Sequence, residues 1–260
     1  MNDPIFTYFL LCGSALLAGA VNAIAGGGTL LTFPALFSVL SGNGVLANGT
    51  STVAIAPGSL ASAWGYRKEL ADKRQVILRL LGPSLLGGGI GALLVTRFPQ
   101  SVFNALVPWL ILGAAVLFVI QQPVMRWLKS HPSSGPAKPR TVMLLLGFQL
   151  LVAIYGGYFG AGIGILMLTA LSFMNLRDIH QMNAVKTILA STINGVSVVS
   201  FVWDGLVKWD YALAMAISAI IGGYFGARVA RRLPAWVVRL IVIVIGFSLA
   251  AFYFVKQIRG

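Results

Sequence analysis

The chain has 260 residues, of which 58% are hydrophobic and 10% charged, against roughly 25% charged in a soluble domain. A mean hydropathy of +0.87 leaves too little polar surface for a water-soluble fold, which excludes a soluble enzyme, a disulfide-rich secreted module and a disordered chain. The net charge is +13, from 19 Lys and Arg against 6 Asp and Glu, and Cys12 is the one cysteine, so neither a disulfide framework nor a thiolate metal site is available.

A helix that crosses a bilayer needs about 20 mainly apolar residues. Apolar segments fall near 5–25, 28–40, 45–65, 76–96 and 102–121. After a polar stretch from Gln121 to Arg140 they resume near 141–160, 162–175, 182–203, 207–227 and 236–256. Only Met1-Asn2-Asp3-Pro4 precedes the first segment. It lacks the basic n-region of a cleaved signal peptide and is expected to remain as a transmembrane helix. Backbone polar groups in lipid must be satisfied internally, so the segments are expected to be helices. The alternating ~10-residue strands of a membrane barrel are absent.

Sliding the sequence on itself by 135 positions aligns two halves without a gap. Asn48 falls on Asn183, Thr52 on Thr187, Ser62 on Ser197 and Gly27 on Gly162. Gly87-Gly88 falls on Gly222-Gly223, Gly91-Ala92 on Gly226-Ala227, Arg97 on Arg232 and Pro99 on Pro234. The coincidences of Asn, Arg, Pro and paired Gly in one register point to internal duplication. Residues 1–121 form the first transmembrane repeat, 122–140 a cytoplasmic linker and 141–260 the second repeat.

Positive charge then sets orientation, because cytoplasmic loops carry the Lys/Arg excess. If 5–40 and 141–175 each count as one crossing, the repeats are parallel and the loop charges divide twelve against six. If both stretches break at their glycines, each half has five elements and the repeats are inverted. Arg97, Lys208, Lys256 and Arg259 then stand against fourteen charges on the other face, with Lys186 inside the membrane. The sharper division favours the inverted arrangement, with both termini outside. Gly28–Leu40 gives only about 20 Å of helix, short of the ~30 Å hydrocarbon core, so such elements are re-entrant or half-crossing. The expected fold is an all-α polytopic membrane protein of two homologous, inverted repeats, each with a Gly-broken or re-entrant helix. It has eight long spans, or about ten helical elements when the short ones are counted.

Two glycine clusters interrupt apolar helix at matching places. The first is Asn22-Ala23-Ile24-Ala25-Gly26-Gly27-Gly28-Thr29, and the second is Tyr155-Gly156-Gly157-Tyr158-Phe159-Gly160-Ala161-Gly162-Ile163-Gly164. Glycine costs about 1 kcal/mol in a helix interior relative to alanine, so such runs favour unwinding. A break exposes N–H groups at a new helix N-terminus, which attract anions. Paired glycine breaks in two halves are the best sequence pointer to a carrier's midplane site. Gly87-Gly88-Gly89-Ile90-Gly91 and Gly222-Gly223-Tyr224-Phe225-Gly226 are read instead as close helix packing.

Lys186 lies in the first turns of an otherwise apolar helix, and its repeat mate is Ser51. Charges inside a bilayer are rare and face a cavity or a partner; the alternative is a side chain that snorkels toward the nearby Arg177-Asp178 loop. Asn183 and Thr187 share one helix face, as do Asn48 and Thr52. The candidate substrate-binding residues are therefore Asn22, Gly26, Gly27, Gly28, Thr29, Asn48, Thr52, Tyr155, Gly160, Gly162, Gly164, Asn183, Lys186 and Thr187.

Asp3, Glu69, Asp72, Asp178, Asp204 and Asp210 all fall in the terminus or loops. With no carboxylate inside a span, a carboxylate proton relay or a cation-binding site is not expected. His131 and His180 are read as solvated loop residues, and no Walker motif encodes ATP-driven transport. Trp64, Trp109, Trp127, Trp203, Trp209 and Trp236 lie near span ends, as an interfacial belt would.

The run from Asn22 through Gly26-Gly27-Gly28-Thr29-Leu30-Leu31-Thr32-Phe33-Pro34 to Leu36 resembles the signature of the sulfite exporter TauE/SafE family, the toluene-sulfonate uptake permeases. The run Tyr155–Gly164 resembles that family's second-half motif. The segments around Asn48, around Asn183–Lys186 and from Gly222 to Arg228 are similar as well, so the likeness covers essentially the whole chain. It implies an integral inner-membrane carrier of sulfite, sulfonates or related organosulfur anions, often outward. Some members carry an acidic residue where this chain has Asn22, which sets any proton-coupling role apart from this position. The expectation is a secondary transporter working by alternating access, not an enzyme. An anion channel and a carrier of a non-sulfur organic anion are the alternatives. No cofactor, metal or nucleic acid is implied. The partners are a small anion and the lipid bilayer, with a second copy of the chain as a further candidate.

Overall fold

The computed structural model describes residues 3–24, 26–70, 73–130, 139–172, 174, 176, 179–229 and 235–259. These residues form ten α-helices and contain no strand. The first five are α1 (Pro4–Ile24), α2 (Thr29–Val39), α3 (Gly44–Gly65), α4 (Arg74–Arg97) and α5 (Gln100–Ser130). The second five are α6 (Pro139–Tyr158), α7 (Ile163–Ser172), α8 (Ile179–Trp203), α9 (Trp209–Val229) and α10 (Ala235–Arg259). A single 3-10 turn, Arg67–Leu70, joins α3 to α4. Helix α5 runs past the expected repeat boundary at residue 121. The linker residues 131–138 lie outside the described ones, as do Arg232 and Pro234 of the repeat alignment.

Seven helices are long and apolar enough to cross a membrane: α1, α4, α5, α6, α8, α9 and α10. Eight long spans were expected, and the difference is α3. It has 22 residues but carries Asn48, Thr50, Ser51, Thr52, Ser59 and Ser62, all buried, which lower its hydropathy. Polar residues on a helix at this depth are tolerated only when they face protein. Many apolar side chains on these helices point outward instead. Phe9, Leu86, Met143, Leu151, Leu213, Ile217, Val244 and Phe252 are all exposed. An apolar surface on this scale is unstable in water and suits hydrocarbon.

The short elements are where the glycine clusters predict them. Helix α2 has 11 residues and α7 has 10, about 16 Å at 1.5 Å per residue, and both are largely buried. They lie inside the bundle, each following a break in the chain.

The helices pack across the two halves. Helix α1 packs chiefly on α9, and α4 chiefly on α6; α3 also packs on α9, and α4 on α8. These seams are lined by glycine. A methyl on Gly222 would collide with the Leu16 carbonyl, one on Gly226 would lie 2.5 Å from Ala20 Cα, and one on Gly58 would lie 2.5 Å from the Ala219 carbonyl. In the other seam, a methyl on Gly87 would lie 2.6 Å from the Leu150 carbonyl, and one on Gly91 would collide with the Ile154 carbonyl. Both sets therefore serve as backbone-to-backbone packing surfaces, as read from the sequence. Contacts rise together along α1 and α9, from Tyr8 on Tyr211 to Ala20 on Gly226, so these helices run parallel. Helices α5 and α10 run antiparallel, with Trp109 on Phe254 and Ala115 on Gly246.

Candidate substrate site

Both breaks are terminated in the same way. At the end of α1, the Gly26 N–H donates to the carbonyls of Val21 (3.1 Å) and Asn22 (3.2 Å), with Gly26 at φ +75°. At the end of α6, the Gly160 N–H donates to the Tyr155 carbonyl (3.2 Å), with Gly160 at φ +80°. A left-handed residue of this kind closes a helix and turns the chain away, and glycine adopts it without a Cβ penalty. Side chains brace each turn. Asn22 accepts the Gly27 N–H through Oδ1 (3.3 Å) and donates through Nδ2 to Ser59 Oγ (2.9 Å). The Tyr155 hydroxyl donates to the Ala161 carbonyl (2.7 Å).

The two breaks touch each other at the centre of the molecule. A methyl on Gly26 would lie 2.6 Å from Gly164 Cα, and one on Gly27 would lie 3.0 Å from the Gly162 nitrogen and 2.8 Å from the Phe118 ring. Gly160 faces Thr29 Oγ1. Gly28 starts α2 against the Ala18 carbonyl of α1. The six candidate residues Gly26, Gly27, Thr29, Gly160, Gly162 and Gly164 thus form one crossing point of bare backbone.

Helices α3 and α8 bring polar side chains to this crossing from opposite ends. Lys186 is 1% exposed, and its Nζ donates to the carbonyls of Asn22 (3.2 Å) and Ala23 (3.4 Å). It does not reach for the surface; it sits on the last carbonyls of α1, where the helix dipole is negative and a cation is stabilised. Asn48 makes the matching contact in the other half: its Nδ2 donates to the Tyr158 carbonyl at the end of α6 (3.0 Å). Ala23 and Tyr158 fall on each other at the 135-position offset of the sequence. Asn48 and Lys186 therefore lie at different helix ends, on either side of the glycine crossing.

The remaining candidates are buried beside them. Thr52 and Thr187 spend their hydroxyl protons on the carbonyls four residues earlier, Asn48 (2.9 Å) and Asn183 (2.7 Å). The Oδ1 atoms of Asn48 and Asn183 have no hydrogen-bond partner among the described residues. Such orphaned acceptors are rare in folded proteins and call for an explanation. Sequence reasoning missed three participants: the carbonyls that Lys186 holds, the Tyr66 hydroxyl on the Ala23 carbonyl (3.4 Å), and Thr32, whose Oγ1 lies 2.6 Å from Ser51 Oγ. Only Ser51, as the mate of Lys186, carried a signal.

An aromatic cluster closes one end of α2. Phe33 stacks on Phe159 (5.2 Å between centroids) and Phe37, and Phe37 stacks on Tyr253 (5.2 Å). The matching α7 is packed in aliphatic side chains and methionines, Met167, Leu168, Leu171 and Met182 among them. His180, expected in a loop, belongs to the first turn of α8. His131, Asp72, Arg177 and Asp178 lie outside the described residues, as do the side chains of Trp127 and Trp236.

Comparison with known proteins gives relatives across nearly the whole length. The chain is 27% identical over 241 residues to a "Probable membrane transporter protein" of Haemophilus influenzae, covering 90% of this chain and 89% of the relative. It is 28% identical over 245 residues to "Probable membrane transporter protein ORF9" of a Sinorhizobium species, covering 91% and 88%. It is 26% identical over 245 residues to "Probable membrane transporter protein YfcA" of Escherichia coli K12, covering 91% and 86%. No solved structure matches. The family model described as sulfite exporter TauE/SafE matches residues 11–253, which takes in both glycine breaks, both polar helices and the seams between the halves. The chain belongs to the sulfite exporter TauE/SafE family.

Proposed function

We propose that this multi-pass membrane protein is a secondary carrier of small sulfur-containing anions, such as sulfite and organosulfonates like sulfoacetate, working by alternating access. The observation that carries the reading is Lys186: a lysine 1% exposed, held at a helix break in the middle of an apolar bundle. A buried ammonium is costly and is kept where it meets a ligand or a pathway. An oxyanion at the glycine crossing would draw on Lys186 and on the backbone N–H groups at the start of α2 and α7, and charge-assisted bonds of this kind are the stronger class. The relatives named as membrane transporters, rather than as enzymes, support the same reading.

Alternating access in this proposal arises from two inverted repeats. Three observations support inversion. The N-terminal turns of α3 lie beside the α8–α9 connection, where the Lys208 N–H donates to Thr50 Oγ1 (3.0 Å). The C-terminal end of α3 lies near the N-terminal half of α8, since Tyr66 and Lys186 share the Ala23 carbonyl. Equivalent helices α5 and α10 run antiparallel. Two equivalent units facing opposite ways give two equivalent states, one open to each side.

The test is a thermal-unfolding screen of purified protein against sulfite, sulfoacetate, taurine, sulfate and carboxylate analogues, followed by counterflow in proteoliposomes. The expected result is saturable stabilisation by one sulfur anion and trans-stimulated flux of it. No response across the panel overturns the sulfur assignment, and flux without trans-stimulation overturns the carrier in favour of a channel.

A further inference from the structure

The two halves solve the same electrostatic problem differently. In the second half, Lys186 brings a positive charge to the negative end of α1. Its equivalent in the first half is Ser51, on α3, and the equivalent helix end is that of α6. There the Tyr158 carbonyl is held by the neutral Nδ2 of Asn48 (3.0 Å). That bond fixes which way the Asn48 amide faces, because a flipped amide would set two carbonyl oxygens against each other. Its Oδ1 is left with no partner among the described residues, in a side chain 1% exposed.

Ser51 lies three residues further along, on the same face of α3. It is fully buried, with Oγ 2.6 Å from Thr32 Oγ1. Thr32 Oγ1 also lies 3.4 Å from the Gly28 carbonyl; when it donates there, Ser51 donates to Thr32 and keeps its own lone pairs as acceptors. Two acceptor oxygens are therefore carried one turn apart on the same buried face of α3, Ser51 toward α2 and Asn48 toward the negative end of α6. The donors of this set are already spent, the Asn48 Nδ2 on Tyr158 and the hydroxyl protons on Thr32 and Gly28, and none of these groups titrates near neutral pH. The absence of carboxylates from the spans argues against a carboxylate-held cation, but neutral oxygens and helix-end carbonyls hold monovalent cations in carriers built on broken helices.

We propose that the first half binds a monovalent cation, sodium before potassium, between Asn48 Oδ1 and Ser51 Oγ, and that this ion is carried with the anion. Lys186 is its covalent counterpart in the second half. The cation is a transported ion rather than a resident metal, and it offsets the charge of the anion as the pair crosses. This inference rests on the carrier reading given above and names its coupling ion.

The full chain, purified in detergent, is unfolded thermally in sodium chloride, potassium chloride and N-methylglucamine chloride at equal ionic strength. Sodium is expected to raise the melting temperature saturably, and the other two are not. Ser51→Ala removes one ligand oxygen and should raise the half-saturating sodium concentration about tenfold, the size of one contact to a charged group. Ser51→Lys places an ammonium where the ion would sit and should abolish the sodium response in protein that still elutes as a single species. Should that variant fail to fold, Ser51→Ala and the wild-type titration decide. Identical melting in all three salts, or an unchanged sodium midpoint in Ser51→Ala, overturns the site. Counterflow of a sulfur anion that ignores sodium also overturns it while leaving the carrier reading intact. Saturable sodium stabilisation without any anion binding or flux supports the site and removes the carrier reading instead.

Discussion

The Lys186 ammonium lies 3.2 Å from the carbonyl oxygen of Asn22, a residue 164 positions earlier in the chain. This contact joins the two halves at the point where α1 stops. Its counterpart joins them again where α6 stops, through Asn48 and Tyr158 (3.0 Å). The two broken helices are thus each held by a residue from the opposite half of the sequence, one charged and one neutral.

Replacing Lys186 separates its two roles. Lys186→Gln keeps a donor for the Asn22 and Ala23 carbonyls but removes the charge. It should stay folded in the membrane and lose anion flux by at least about tenfold, since a bond to a charged group contributes about 1.5–3 kcal/mol. Lys186→Met removes the donor as well and should lower stability by about 1–3 kcal/mol, read by thermal unfolding, because a buried carbonyl loses a partner. Flux unchanged in Lys186→Gln would reduce Lys186 to a helix-end clamp.

Glycines of the same type should respond in opposite ways. Gly222→Ala drives a methyl into the Leu16 carbonyl, backbone against backbone. Overpacking of this kind costs about 1–3 kcal/mol, with loss of monodisperse protein on a size-exclusion column. Gly13→Ala meets nothing within 4 Å and should leave stability unchanged or raise it by up to about 1 kcal/mol. Equal effects of the two would refute the seam as a tight contact.

A second buried polar pair lies away from the crossing, between α4 and α6. Gln149 Nε2 donates to Ser84 Oγ (2.9 Å), while its Oε1 has no partner among the described residues. Ser84 is independently satisfied, because its hydroxyl donates to the Leu80 carbonyl (2.7 Å). Gln149→Met removes the orphaned oxygen along with the bond, so melting temperature should hold or rise and flux should not change. A fall of more than about 1 kcal/mol would show that the amide is held by something the pair does not account for.

Inversion of the halves has a direct chemical readout. Asp204, in the α8–α9 connection, and Lys68, between α3 and α4, are both exposed. In a Cys12→Ala background, a membrane-impermeant thiol reagent added to intact cells should label Asp204→Cys and spare Lys68→Cys. The fourteen-to-four division of loop charge expected of the inverted arrangement would put the α3–α4 loop inside. Labelling of both from one side would refute the inverted arrangement.

Helix positions were legible because each break carries its own local signal: three glycines at 26–28, and Gly160 and Gly162 in the second half. Local composition also misled at α3. The apolar run at 45–65 reads as a long span like the others, but Asn48, Thr50, Ser51 and Thr52 lower its hydropathy below that of the other seven, and only its neighbours in space show that these residues face protein. The site was half legible. Lys186 stands out in an apolar run, yet its partners at Asn22 and Ala23 are backbone atoms in another repeat, which no spacing in the sequence reveals. Thr32 was passed over for the same reason: a threonine in an apolar helix gives no sign of the serine it meets.

The pairing of α1 with α9 bears on how the protein is made. Helix α1 emerges from the ribosome well before α9, because the groove it enters, lined by Gly222 and Gly226, is synthesised some two hundred residues later. The seam of α4 also waits, for α6 and α8. Neither sequence half is therefore a folding unit. A chain cut between Ser130 and Pro139 should yield fragments that are unstable when expressed singly and recover together only when both are inserted in the same membrane. Until α9 arrives, α1 has α2 and α3 beside it but not the helix it packs on most, which makes the interval before α9 is inserted the vulnerable stage in the life of this molecule.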